Sequence, residues 1–196
     1  MKVQIDKIYP MPCSPEVAWE FLQNLEAVAG CMPGAKITER LDAGRYKGTV
    51  TVKVGPATMS FRGEVEMKDV DPAARTLRLL GKGTDSTGSP GASMNLTARI
   101  EAAEAGLCAL VGASEVSMSG KAAAFGGRMM NSVADTILKQ FADNFAAQVS
   151  ALQANRGAPA AAVAIPPPVA AELNGLALVW TVIKDWLRGL FSRKTA

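Results

Sequence analysis

The chain contains no histidine. That absence removes imidazole general bases, Ser-His-Asp and Cys-His nucleophilic machinery and imidazole metal ligation in one step. Chemistry by a carboxylate, lysine, tyrosine or cysteine stays open, but an enzyme is no longer the first expectation. Cysteine is scarce too. Cys13, Cys31 and Cys108 are an odd number with no CxxC spacing. They fit reduced, partly buried thiols better than a disulfide framework or a zinc site. Nothing basic closely flanks Cys31, so an inert thiol is expected there rather than a nucleophile. Met1 to Asp6 alternate polar and apolar without an apolar core segment, so no signal peptide is expected. No internal repeat is visible.

Charge is balanced in bulk and uneven in place. Residues 1–153 hold 16 Lys+Arg and 16 Asp+Glu, so the formal net charge of +3 lies downstream, in Arg156 and in four basic against two acidic residues from Glu172 onward. A neutral body argues against nucleic acid, because neutralising phosphates needs a basic patch. A basic tail fits an anionic surface.

Along the chain the hydrophobic period changes three times. Residues 2–9 read as a strand. Ser14-Pro15-Glu16 then starts a helix, with an N-cap hydroxyl, Pro at the first helical position and an acid in the first turn. Val17, Ala18, Phe21, Leu22 and Leu25 form its apolar stripe. A short second helix, about 24–31, stops at Met32-Pro33-Gly34. From Tyr46 the period is two. Tyr46, Gly48, Val50, Val52 and Val54, then Ala57, Met59, Phe61, Gly63, Val65 and Met67, alternate with polar residues across a Gly55-Pro56 turn. Strands at about 75–82, 92–103 and 107–118 follow, so that the order is a strand, two short helices, about six antiparallel strands and one long helix. From about Phe125 to Leu152 the period returns to 3.6, with Met129, Met130, Val133, Ile137, Phe141, Phe145 and Val149 on one stripe.

An antiparallel sheet with one apolar face must be covered, and only the last helix is long enough. The expected fold is therefore α+β of the helix-grip kind, a curved antiparallel sheet wrapped on a long C-terminal helix over residues 1–153. Residues 154–171 read as a linker, with eight Ala and four Pro in 18 residues. Residues 172–196 read as a separate amphipathic helix.

The expected inward set is Met32, Val50, Val52, Met59, Phe61, Leu77, Leu79, Met94, Leu96, Leu110, Met118, Phe125, Met129, Met130, Val133 and Ile137. An ordinary packed core and a ligand cavity both fit it. The nine Met residues favour an adaptable apolar surface. Met32-Pro33-Gly34 reads equally as a cavity mouth or a stiff turn. Asn95, Ser114 and Arg128 are candidate hydrogen-bond partners for a ligand. Glu64, Asp85 and Glu115 are the ionisable candidates if the domain is instead an enzyme on a hydrophobic substrate, although the alternation points Glu64 outward.

The tail carries the sharpest local pattern. Leu176, Val179, Trp180, Ile183, Trp186, Leu187, Leu190 and Phe191 share one broad face, edged by Arg188 and ending in Arg193-Lys194. Its longest uncharged stretch, Leu173 to Ile183, is too short to span a bilayer. The pattern fits an interfacial membrane helix, or alternatively a face that docks on a protein.

Several motifs resemble the CoxG family of carbon monoxide dehydrogenase, within the START-like/SRPBCC superfamily. They are Cys31-Met32-Pro33-Gly34-Ala35, the run from Tyr46 to Pro56, Phe61-Arg62-Gly63-Glu64, Gly81-Lys82-Gly83 with Asp85, and Gly126-Gly127-Arg128. The resemblance spans about residues 1–150. It implies a non-enzymatic bacterial protein associated with a molybdenum-containing CO dehydrogenase or related hydroxylase. It also implies recruitment of that enzyme to the inner face of the cytoplasmic membrane and carriage of a menaquinone or ubiquinone, linking the enzyme to the respiratory chain. On that footing the ligand-cavity residues are Met32, Pro33, Val50, Val52, Met59, Phe61, Leu79, Met94, Leu96, Met118, Phe125, Met129, Met130, Val133 and Ile137. An assembly or maturation factor for the same enzyme is the alternative.

Overall fold

The computed structural model describes residues 1–42, 44–54, 57–85, 90–124 and 126–157. Its elements are β1 (Lys2–Met11), α1 (Pro15–Gln23), α2 (Leu25–Cys31), β2 (Ala35–Asp42), β3 (Arg45–Val54), β4 (Ala57–Asp71), β5 (Thr76–Asp85), β6 (Pro90–Ala102), β7 (Cys108–Met118), α3 (Gly120–Ala123) and α4 (Gly127–Gly157). The seven strands form one antiparallel sheet in the order β1-β7-β6-β5-β4-β3-β2. This is the helix-grip architecture expected from the sequence.

Local chemistry explains the two short helices. The Ser14 hydroxyl accepts from the Val17 N–H at 3.4 Å, and Pro15 occupies the first turn, where its missing N–H costs nothing. Asn24 ends α1 and caps α2. Its backbone N–H donates to the Phe21 carbonyl, and its side chain accepts from the Ala27 N–H at 3.1 Å.

Two elements depart from the expectation. The strand β2 lies at a position where the sequence pattern predicts none. It shows weak alternation in the sequence because bulges interrupt its pairing with β3 between Ile37 and Glu39 and between Arg40 and Asp42. The long helix also runs to Gly157, four residues into the stretch read as linker. Its last turns are held from outside: Gln153 Oε1 accepts from the Ser14 N–H at 3.2 Å, and Arg156 pairs with Glu20.

The core is asymmetric along α4. Ala142, Phe145 and Val149 are buried against Val17, Trp19, Phe21 and Leu22 of α1, Leu25 and Val28 of α2, and Leu77, Ile100 and Leu110 of the sheet. Phe21 and Phe145 meet edge-to-face, with centroids 4.9 Å apart. The Asn144 amide donates to the Cys31 carbonyl at 2.9 Å, tying α4 to α2. Each large side chain so buried contributes about 1.5–3 kcal/mol. The other half of α4 has no such cover. Met130, Val133 and Ile137 are half-buried, and Met129 is 44% exposed. No helix among the described residues is long and apolar enough to cross a membrane.

Candidate ligand-binding site

In an antiparallel sheet, residues directly opposite one another point to the same face. The register therefore gives the face under α4 as rows running across the strands. One row is Met67, Leu79, Leu96, Ser114 and Ile5. The next is Tyr46, Val65, Gly81, Met94, Val116 and Val3. Beyond them lie Gly48, Gly63, Gly83, Ala92 and Met118, then Val50, Phe61 and Asp85, then Val52 and Met59.

The row of small residues is where the sheet curls. A Cβ on Gly63 would collide with the Lys82 carbonyl oxygen, and one on Gly48 would lie 2.8 Å from the Lys36 carbonyl oxygen. Neighbouring backbone comes too close there for any side chain. Three of the motifs that resemble the CoxG family, around Gly48, Gly63 and Gly83, are thus neighbours in space and shape the concavity.

The apolar lining does not form one continuous core. Leu79, Met94, Leu96, Val65 and Met67 belong to the main cluster under α1, α2 and the last turns of α4. Val3, Met118, Ile5, Met59, Phe61, Ala92, Val116 and Met130 form a second one. Ser114 lies in register between Leu96 of the first cluster and Ile5 of the second. Its hydroxyl oxygen is buried and has no hydrogen-bond partner among the described residues.

The expected cavity residues fall as follows. Met59, Phe61, Met118 and Met130 meet in the second cluster, and Leu79, Met94 and Leu96 in the first. Val52, Val133 and Ile137 are half-buried, while Val50 and Met129 stay 38% and 44% exposed. Met32 and Pro33 are half-buried at the α2–β2 turn. There Gly34 has φ +75° and its carbonyl accepts from the Thr51 N–H at 2.9 Å, so the segment is pinned as a stiff turn against β3. Phe125 lies outside the described residues. So do the membrane-helix residues Leu176, Val179, Trp180, Ile183, Trp186, Leu187, Arg188, Leu190, Phe191, Arg193 and Lys194.

Of the polar candidates, Ser114 and Asp85 are on the rows of the concave face, Ser114 between the two apolar clusters and Asp85 at the end of β5. Asn95 is exposed opposite Leu80 and Glu115, on the outer face, because it alternates with inward Met94 and Leu96. Arg128 is exposed at the start of α4. Glu64 is exposed on the outer face, and Glu115 is exposed and paired with Lys2 at 2.9 Å. Asp85 shares a row with Phe61. Sequence reasoning left Val3, Ile5 and Val116 out of the lining. Ile5 could have been found, since it lies two residues from Val3, but Lys7 breaks the apolar alternation. Lys7 faces inward opposite Gly112 and is met by Asp135 of α4 at 2.8 Å. That hydrogen bond and its charge raise the Lys7 pKa, so this lysine is held as the ammonium.

Two pockets are present among the described residues. One of about 460 Å³ lies between Glu26 and Gly30 of α2 and Ala35 to Arg40 of β2. The other, about 520 Å³, is lined both by Gly63, Gly83, Ala92 and Met118 of the small-residue row and by outer-face residues including Arg62, Lys82, Ser93 and Ser117; Met118 is the one expected cavity residue in it. Among the described residues no group of three or more Cys, Asp or Glu is placed to hold a metal ion. The Cys13 and Cys108 sulfurs lie 3.9 Å apart in the core, closer than their sequence separation suggests. Burial, then the neighbouring Cys13, pushes the Cys108 thiol up to about 12, and burial raises Cys13 and Cys31 as well. None of the three is poised as a thiolate. What the concave face offers is a largely apolar floor in which the Ser114 hydroxyl is buried without a hydrogen-bond partner among the described residues.

The sequence model of the carbon monoxide dehydrogenase CoxG family matches residues 11–150. No curated protein is a significant match. Among solved structures, the chain is similar to a conserved protein from Geobacillus kaustophilus, with TM-score 0.68 and 19% identity over 76% of this chain and 96% of that one. It is also similar to the ZhuI aromatase/cyclase from Streptomyces sp. R1128, with TM-score 0.56 and 15% identity over 76% and 94%. A START superfamily protein from Mycobacterium smegmatis matches with TM-score 0.54 and 15% identity over 76% and 98%. At these identities the likeness is one of fold.

Proposed function

The chain belongs to the CoxG family of carbon monoxide dehydrogenase, and from that premise we propose that it is a non-enzymatic carrier of a quinone-like lipid. In this reading it serves a molybdenum-containing CO dehydrogenase or a related hydroxylase. The domain holds a menaquinone or ubiquinone in its concavity, and residues 172–196 bind the cytoplasmic face of the cell membrane. Electrons from the enzyme then reach the respiratory quinone pool.

The carrying observation is the divided apolar lining of the concave face, tight under the last turns of α4 and half-covered under the first. A ligand pocket needs apolar walls with few polar groups, on a scaffold already formed. The adaptable side chains there are methionines, Met59, Met94, Met118 and Met130. ZhuI shows that this fold carries an aromatase/cyclase. Carriage is favoured over catalysis here because the chain has no histidine and because two of the three ionisable candidates, Glu64 and Glu115, stand on the outer face, leaving Asp85 alone of them on the concave one.

Organic extraction of the purified full chain followed by mass spectrometry tests the carrier. A co-purifying quinone, or uptake of added quinone, is expected. Protein that neither carries nor takes up quinone would sink this part. Flotation with anionic liposomes, with and without residues 172–196, tests the tail separately. Flotation lost on truncation is expected, and unchanged flotation refutes a membrane role for it.

A further inference from the structure

We propose that Ser114 is the polar anchor of the concavity, and that it selects a neutral, largely apolar ligand bearing a carbonyl oxygen. The inference rests on the carrier reading above and adds the atom that orients the cargo.

A buried hydroxyl without a partner costs about 1–3 kcal/mol relative to one that is paired. Alanine at this place would remove the cost with no loss of packing volume beyond one oxygen. Stability therefore gives no reason for a serine here. The surroundings supply no partner either. The opposite residues are Leu96 on β6 and Ile5 on β1, and the next inward residues along β7 are Gly112 and Val116. Diagonally across lie Met94, Ala98, Val3 and Lys7. Lys7 is engaged with Asp135.

The same neighbours define the ligand. One hydroxyl can satisfy one carbonyl, and nothing beside it is free to balance an anionic group. Gly112 leaves the floor open next to it, since a Cβ there would have the Leu96 Cδ1 at 3.6 Å as its nearest neighbour. Ser114 also sits on the seam between the two apolar clusters. A ligand that lies along the seam has its apolar body on both clusters and its oxygen over Ser114. The hydroxyl oxygen is buried, so the ligand reaches it by displacing side chains at the seam, of which Met94 is the most flexible.

The test titrates the full chain with decylubiquinone and with decylbenzene, which has the same tail and no carbonyl. Wild type, Ser114→Ala and the outer-face control Asn95→Ala are compared, with the Tm of each measured without ligand. Ser114→Ala is expected to weaken decylubiquinone about fivefold, the equivalent of one neutral hydrogen bond. Decylbenzene should bind all three alike, and the Ser114→Ala Tm should be equal to or above wild type. Undiminished decylubiquinone binding by Ser114→Ala overturns the anchor and leaves the carrier reading standing. So does an equal loss for both probes, a comparable loss in Asn95→Ala, or a lowered Tm. A wild type that binds neither probe overturns the carrier reading and the anchor together.

Discussion

Gly63 of β4 lies so close under β5 that a side chain at that position would strike the carbonyl oxygen of Lys82. Glu64 and Lys82 are opposite in the register, and Gly63 pairs with Gly83. The strands there are bent towards one another more sharply than a pleat bearing side chains allows. The second apolar cluster lies on the same face beside this close approach, at Met59, Phe61, Ala92 and Met118, with Met130 of α4 packed against it.

Gly63→Ala is therefore expected to destabilise the domain by roughly 2–3 kcal/mol, the range of an insertion into packed structure that must move backbone. Gly112→Ala is the internal comparison. Its added methyl would meet only Leu96 at van der Waals distance, so its stability should change by less than about 1 kcal/mol. Urea unfolding of the two variants checks both. Equal stability of Gly63→Ala and wild type would show that the bend is not needed.

Phe145 and Met129 lie on the same helix and should respond oppositely to truncation. Phe145 is fully buried against Phe21 and Phe141, whereas Met129 is 44% exposed. Phe145→Ala is expected to cost about 3–5 kcal/mol. Met129→Ala should cost less than about 0.5 kcal/mol, in line with an open surface position, and should instead weaken retention of a bound lipid. The checks are chemical denaturation for stability and quinone content per chain for retention.

How far the sequence could be read follows from where periodicity survives. In β3 and β4 the alternation is unbroken, and the face assigned from it is the observed one: Tyr46 opposite Val65, Val50 opposite Phe61, Val52 opposite Met59. In β2 two bulges shift the phase, so Ile37 and Leu41 give no clean signal. In β1 the pattern misleads, since Lys7 faces inward to meet Asp135 and Ile8 faces outward at 66% exposure. Both depend on partners more than a hundred residues away, which no local pattern encodes. Asn95 failed as a ligand candidate for a simpler reason. A residue between Met94 and Leu96 on one strand must face away from both. The proximity of Cys13 and Cys108 was hidden because it arises from the β1–β7 pairing of Met11 with Cys108.

The thiols give a prediction by modification. Cys13, Cys31 and Cys108 are 2%, 2% and 1% exposed, and burial raises all three pKa values, that of Cys108 to about 12. Because the thiolate is the reacting form, the native protein at pH 8 should react with a thiol-specific disulfide reagent at least roughly 100-fold more slowly than the protein in guanidinium chloride. Absorbance of the released chromophore reads this directly. A fast phase in the native protein would mean that one thiol is far more accessible than its packing allows.

The last prediction concerns acid. Glu16 lies in the first turn of α1, and its carboxylate accepts from Arg75 at 2.6 Å. Its pKa is lowered from 4.5, first by its own backbone N–H at the helix start and further by Ser14 and Arg75, which together outweigh the opposing effect of burial. A group whose folded pKa lies below its unfolded value binds fewer protons in the folded state. Its contribution is fully present above pH 4.5 and disappears as the pH falls through the folded value. Thermal unfolding of wild type should therefore steepen in its pH dependence below about 4.5. Glu16→Gln should lower the Tm at pH 7 slightly and flatten that acid limb, with the two curves converging as the pH falls through the folded value. The Arg75→Gln variant should flatten it only in part, because the helix backbone, the largest single cause of the shift, and Ser14 remain. Parallel curves for wild type and Glu16→Gln from pH 7 to pH 3 would mean that the carboxylate titrates alike in the folded and unfolded chain.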